Sequence, residues 1–286
     1  MCVFDFSYIS MEEQLQIIFK PSSIVLIGSG TYACVFKITT PTDTFVVKYS
    51  KQDIYNDTSL LLEWVINSRF THVNFIKITE CRRINDHVIL VMPYIGPSIA
   101  THMLDNTLIV DDDWARQLRE MVTVLRLYNI AHKDISLRNI LVDHANNSRV
   151  VLCDFGLANH NNPYDIWLET SLPVKTDSLT TLDADCVEFI ITQLAAHAKK
   201  NKSTCRQLPR RTDANDPPVQ TTISYVWSMH NINAMARLTG YTADFINTFL
   251  SYTMSDKHTL ARCATVVDAI IAHPRDIYDN THRLFS

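Results

Sequence analysis

The chain has 286 residues, 47% of them hydrophobic and 20% charged, and its 26 Lys and Arg against 30 Asp and Glu give a formal net charge of −4. That composition belongs to a globular chain long enough to bury a large core in one domain or two lobes, and it excludes collagen, coiled coil and disorder. No apolar run reaches the roughly 18 residues of a membrane span, because Pro93, Gly96 and Pro97 break the longest one, between Val88 and Met103.

Asp5, Glu12 and Glu13 lie within Met1 to Gln14 with no basic residue ahead of an apolar block, so this stretch does not read as a signal peptide and the mature chain is expected to start near Met1. Residues 1–23 read as an N-terminal extension. The pattern then predicts short antiparallel strands at Ile24 to Ile27, Val35 to Ile38 and Thr44 to Tyr49, separated by a Gly turn and by Thr40-Pro41-Thr42-Asp43. Asp57 can cap a helix through Leu60, Leu61, Trp64, Val65 and Phe70. Strands are expected near Phe75 to Thr79 and at His87 to Met92, and Trp114, Leu118, Met121, Val122 and Leu125 predict a helix ending near Asn129. Short strands at 140–142 and 150–152 precede a helical second half, with helices over 182–197, 224–238, 242–253 and 261–272 and a polar surface insertion at 199–222.

The seven cysteines form no Cys-x-x-Cys pair and are odd in number, which fits reduced thiols and a cytoplasmic or nuclear location, with neither disulfides nor zinc implied. The near balance of charge argues against a nucleic-acid-coating domain, since such domains carry a strongly basic face. The chain has only five glycines, far below the usual share of roughly 7%. Four of them, Gly28, Gly30, Gly96 and Gly156, fall in the segments that carry chemistry. Glycine persists where a ligand must approach the main chain or where φ is positive.

Gly28-Ser29-Gly30-Thr31-Tyr32-Ala33, followed by Val35, lies between two predicted strands, where backbone N–H groups can close over phosphates. Alone, it reads equally as a hairpin turn. Lys48 ends the run Val46-Val47-Lys48, and a lysine on an interior strand needs a carboxylate or phosphate partner. Glu63 on the following helix is the candidate, although each of the two also reads as a solvated surface charge. The strongest segment is His132-Lys133-Asp134-Ile135-Ser136-Leu137-Arg138-Asn139-Ile140-Leu141, with Asp154-Phe155-Gly156 further on. Asn139 and Asp154 supply the oxygens that Mg²⁺ prefers, and Asp134 remains to accept a hydroxyl proton. Phosphoryl transfer needs these roles together, because its catalysis is mainly positioning and charge neutralisation.

In order and spacing these residues resemble the eukaryotic-type protein kinases, from about Ile24 to about Pro274. The resemblance implies an α+β, bilobal fold: an antiparallel β-rich N-lobe with one main helix over 24–93, and a mostly helical C-lobe over 94–286. It implies an ATP- and Mg²⁺-dependent enzyme acting on protein substrates. Gly28 and Gly30 would cover the phosphates. Lys48, paired with Glu63, would contact them, Asp134 would be the base, and Asn139 and Asp154 would hold the metal. Ile27, Val35, Val46 and Leu141 would enclose the base. Met92 would be the gatekeeper, with the Pro93 carbonyl and the Ile95 N–H reading adenine. Asp185 would hold the backbone of the catalytic loop, and Arg262 would belong to the closing helices.

Departures from that pattern carry expectations of their own. Ala33 replaces a third loop glycine, Asn67 takes a usually apolar spine position, and Leu172-Pro173-Val174 stands where the family has Ala-Pro-Glu, leaving Glu169 as the acid for Arg262. Lys133 lacks the bidentate fork of the usual arginine, so activity is expected without phosphorylation of Tyr164, Thr170 or Ser171. Ser136 stands where Ser/Thr kinases place lysine, and Arg138 is a position favoured by tyrosine kinases; the balance favours Ser/Thr. The cluster Lys199, Lys200, Lys202, Arg206, Arg210 and Arg211 reads as a solvated loop, with an import or acidic-substrate patch as the alternative. The small size and eroded secondary motifs resemble the divergent kinases of large DNA viruses, herpesviruses among them. A pseudokinase scaffold and a small-molecule kinase of the aminoglycoside or choline type are the alternative readings.

Overall fold

The computed structural model describes residues 10–30, 32–51, 59–69, 71–128, 130–146, 148–160, 177–201, 229–251 and 257–279. Five antiparallel strands form the first sheet: β1 (Ser23–Ser29), β2 (Ala33–Thr39), β3 (Thr44–Ser50), β4 (Glu80–Ile84) and β5 (His87–Pro93), in the order β1-β2-β3-β5-β4. The alternation of β3 divides its residues between two cores. Val46 packs on one side with Ala33, Leu90 and Met92, whereas Val47 and Tyr49 pack on the other with Phe36, Ile38, Ile89 and Val91.

Each face has its own helix. Helix α1 (Met11–Phe19) lies against the second face, inserting fully buried Leu15 among Phe36, Ile38 and Val47. It is built from a capping box: Ser10 Oγ accepts from the Glu13 N–H at 3.2 Å, and the Ser10 N–H donates to Glu13 Oε2 at 2.8 Å. The Tyr49 hydroxyl donates to Gln14 Oε1 at 2.7 Å, joining helix to strand. Helix α2 (Ser59–Arg69) covers the other face. Its expected cap, Asp57, lies outside the described residues.

The strand expected at Phe75 to Thr79 sits instead at Glu80–Ile84. The two-residue turn Asn85-Asp86, with Asn85 at φ 53°, pairs Ile84 with His87 and so fixes the register of β4 on β5. Residues 75–79 serve as a connector: the Ile76 N–H donates to the Leu152 carbonyl, and the Ile78 N–H to Asn67 Oδ1 at 2.9 Å.

Beyond the hinge between the lobes, residues 93–96, come α3 (Ile99–Leu104), α4 (Trp114–Leu127), β6 (Ile130–Ala131), the hairpin of β7 (Ile140–Val142) with β8 (Val150–Leu152), and β9 (Asn159–His160), which pairs with β6. Helix α5 (Asp177–Asn201) is longer than the 182–197 expected and takes in Lys199 and Lys200. The chain closes with α6 (Met229–Thr239), α7 (Ala243–Ser251), α8 (Lys257–Ala272) and the unexpected α9 (Pro274–Asp279). Helices α8 and α9 pack against α2, and α8 also touches β4, so one apolar core runs from Val46 through Leu61 and Leu118 to Ile270 and Ile277. No helix among the described residues is long and apolar enough to cross a membrane.

Candidate active site

Lys48 is set by sheet register. Antiparallel pairing places it opposite Val35 on β2 and Leu90 on β5, on the face that α2 covers. There its Nζ lies 2.7 Å from Glu63 Oε2 and 2.7 Å from Asp154 Oδ1. Burial works against the ammonium, but the two carboxylates outweigh it and hold its pKa above the usual lysine value. Lys48 in turn holds Asp154 below the ordinary carboxylate range, while burial pushes Glu63 up against the pull of Lys48. The Glu63 carboxylate also accepts from the Phe155 N–H at 3.2 Å, which ties α2 to the segment after β8.

Asp154 has φ 65° and ψ 74°, an uncommon left-handed conformation for a non-glycine residue. Its carboxylate accepts from the Gly156 N–H at 3.3 Å. A Cβ on Gly156 would stand 3.1 Å from Asp154 Oδ1 and 3.8 Å from Lys48 Nζ, so this glycine leaves the carboxylate and ammonium room to meet. Phe155 is fully buried, with its ring edge-on to His132 at 4.8 Å and tilted against Phe75 at 6.0 Å. His132 is fully buried, and burial lowers its pKa to about 4. Its Nδ1 accepts from the Asp134 N–H at 3.3 Å, which leaves Nε2 to donate to the Cys153 carbonyl at 3.2 Å. His132 is thus a neutral packing and hydrogen-bonding residue.

The Asn139 amide donates to the Asp134 backbone carbonyl and to Asp134 Oδ2, both at 2.8 Å. Spending both N–H groups this way fixes the amide and leaves its carbonyl oxygen as the acceptor. Asp134 is pushed above the ordinary carboxylate range by burial, opposed by the Asn139 hydrogen bond and by the charge of exposed Arg138. Asn139 Oδ1 and the Asp154 carboxylate are hard-oxygen groups of the kind Mg²⁺ prefers, an ion that takes few protein ligands and completes its shell with waters and phosphates. Among the described residues no group of three or more His, Cys, Asp and Glu could form an all-protein metal cage.

The residues expected to cover phosphates and enclose the base come from both lobes. Gly28 pairs with Val35 and Ser29 with Cys34, and the Gly30 N–H donates to the Ala33 carbonyl at 2.9 Å, closing a tight hairpin. Lys51 Nζ bonds to the Gly30 carbonyl. Ile27 is about half exposed on β1, Val35 packs partly buried on the shared core, and Val46 sits opposite Met92 on β5. Pro93 ends β5 on the surface, and Leu141 is half-buried on β7 beside Ser98. The hinge is anchored through the Ile95 carbonyl, which accepts from the His144 N–H at 3.1 Å. A Cβ at Gly96 would stand 2.1 Å from the Val142 carbonyl oxygen, so only glycine fits that passage.

The acid that holds the catalytic loop is Asp183, not Asp185. Its Oδ2 accepts from the His132 N–H at 2.7 Å and its Oδ1 from the Lys133 N–H at 2.9 Å, whereas Asp185 is exposed. The signal was present in the sequence. Val187, Ile190 and Leu194 are buried on α5, and Asp183 lies four, seven and eleven residues before them, on the same helical face. Lys133 takes φ 66° between these anchors. Asn67, at the expected spine position, is buried and fully used: its Nδ2 donates to the Ile76 carbonyl at 2.7 Å and its Oδ1 accepts from Ile78. The Ser136 hydroxyl is buried without a hydrogen-bond partner among the described residues. Tyr164, Glu169, Thr170, Ser171, Leu172 to Val174 and the basic residues from Lys202 to Arg211 lie outside the described residues, as does the side chain of Arg262.

A lysine held between two carboxylates and a paired Asp and Asn on one loop are groups that a phosphotransfer site requires, and the scaffold that carries them is two-lobed. The protein kinase domain family matches residues 22–172, just over half the chain, and the chain belongs to that family. It is 29% identical over 149 residues to the serine/threonine-protein kinase ULK3 of Mus musculus, covering 49% of this chain and 32% of the relative. It is 28% identical over 152 residues to calcium-dependent protein kinase 3 of Plasmodium yoelii yoelii, covering 50% and 28%. With the cyclin-dependent kinase 1 of Encephalitozoon cuniculi it shares 26% over 143 residues, covering 46% and 48%. The match to ULK3 spans about a third of that relative's length.

Proposed function

We propose that the chain transfers the γ-phosphate of ATP to serine and threonine hydroxyls of protein substrates. The observation that carries this reading is the aligned triad of Lys48, Glu63 and Asp154, with Asn139 locked onto Asp134 on the facing loop. Lys48 neutralises phosphate charge and is oriented by Glu63. Asp134 accepts the proton of the attacking hydroxyl, and burial has already raised its basicity. Asn139 holds the Asp134 carboxylate in place, and exposed Arg138 adds positive charge beside it. Asn139 Oδ1 and the Asp154 carboxylate would hold Mg²⁺, which would supply charge neutralisation for the phosphates when bound. Val46, Met92 and Leu141 offer apolar surface to the adenine base, and the Pro93 carbonyl and Ile95 N–H offer its hydrogen bonds.

The Ser/Thr assignment rests on the relatives, which are serine/threonine, calcium-dependent and cyclin-dependent protein kinases. An intracellular location is part of this reading, supported by seven cysteines that are odd in number and form no Cys-x-x-Cys pair. The test is transfer of labelled γ-phosphate from Mg²⁺-ATP to a mixed basic protein substrate. Lys48→Met and Asp154→Asn are expected to abolish it, and acid hydrolysis of the product is expected to release phosphoserine and phosphothreonine. Phosphotyrosine alone would reverse the substrate class, and no transfer from folded, nucleotide-binding protein would leave a scaffold.

A further inference from the structure

Helix α2 carries almost no polar side. At 3.6 residues per turn, Leu60, Leu61, Leu62, Trp64, Val65 and Ile66 spread over roughly two-thirds of its circumference. The remaining arc holds Glu63 and Asn67, which are themselves buried and engaged. A helix this apolar has to be covered on every side, and the sheet covers only one. Every residue from Ser59 to Ser68 is buried except half-buried Trp64.

The second cover comes from the chain's own C-terminal end. Helices α8 and α9 pack along α2, and fully buried Ile270 and Ile277 join the core that holds Leu61 and Val65. Trp64 Nε1 donates to the Ile271 carbonyl at 3.2 Å, across a seam cleft of about 610 Å³ lined also by Ser68, Lys77 and Pro274. Arg83 on β4 grips the Asp268 carboxylate on α8 with two bonds of 2.9 and 3.1 Å. These helices lie beyond residues 22–172, the part matched by the kinase family.

We infer that α8 and α9 are an intramolecular brace that sets the position of α2, with Trp64 as the positioning residue that transmits it to the neighbouring Glu63. The physical logic is population: Lys48 and Glu63 are a buried pair that is costly to separate, and the active fraction is the fraction in which α2 holds them together. The effect on activity rests on the kinase reading above, whereas the brace itself is independent of it.

The test uses the full chain. Hydrogen exchange of the α2 amides reads the brace directly, and phosphate transfer reads its coupling to chemistry. Trp64→Leu is expected to speed exchange across residues 59–69 and to lower kcat/KM about tenfold. Should that variant fail to fold, the surface pair decides: Arg83→Asp and Asp268→Arg are each expected to speed α2 exchange about twofold, and the double swap to restore it. Folded variants whose α2 exchange is unchanged would overturn the brace. Faster exchange with unchanged kcat/KM would overturn its role in positioning. Absence of transfer in the wild type would count against the kinase reading alone, since the exchange rates decide the brace by themselves.

Discussion

The two faces of strand β3 divide the labour of the N-lobe. Forward-facing Val46 and Lys48 meet Met92, α2 and the Asp154 segment, and the side chain that matters most there is charged, buried and doubly paired. Rearward-facing Val47 and Tyr49 meet α1 through an apolar cluster and one hydrogen bond to Gln14. A sheet whose side chains alternate can thus carry reactive charge on one side while the other supplies burial. The stability of the rear face is what lets the forward face hold a buried ion pair, which by itself contributes little net stability.

If the faces are separable in this way, changes at one should leave the other's readout alone. The largest effect is expected at the site: Asp134→Asn should cut phosphate transfer roughly 10²–10⁴-fold while the melting temperature stays within a few degrees. Behind the sheet, Leu15→Ala should cost about 2–5 kcal/mol of unfolding free energy by denaturant titration, with transfer per folded molecule unchanged. A fall in transfer beyond the unfolded fraction would show that the two faces are coupled.

Buried His132 sharpens the comparison through pH. Its pKa in the fold is about 4 against an ordinary 6.5, so between these values the unfolded chain binds a proton that the folded chain does not. Stability is therefore complete above about pH 6.5 and falls as the pH drops, by about 1.4 kcal/mol per unit for one proton. His132→Gln should flatten that slope in unfolding curves taken from neutral pH to about pH 4. The smallest effect is expected at the rear hydrogen bond: Tyr49→Phe should cost about 1 kcal/mol and leave transfer untouched.

The polar core of the site was legible because its residue types are improbable in their setting. A lysine ending an apolar strand, and an Asp and an Asn on one loop ahead of Asp-Phe-Gly, demand partners that only a phosphotransfer site supplies together. What was misread involves phase and register. Asp183 and Asp185 lie two residues apart, and on a helix that spacing puts them on different faces, so the buried stripe of α5 decides between them. The strand placed at 75–79 moved to 80–84 because the turn at Asn85, rather than the apolar run before it, sets the pairing. Helix α1 was written in the sequence as a Ser-x-x-Glu box but lay inside a stretch read only as an extension.

By itself, then, the sequence determined which side chains could do chemistry and the order in which the strands and helices come, since both follow from local residue types and periodicity. It also made α2 apolar almost all round. Only the tertiary structure decided what covers that helix and the back of the sheet. Burial is non-directional, and a hydrophobic surface specifies that it must be covered without naming the segment that covers it. Contacts between residues as distant as Trp64 and Ile271, or Gln14 and Tyr49, are settled by the packing of the whole chain.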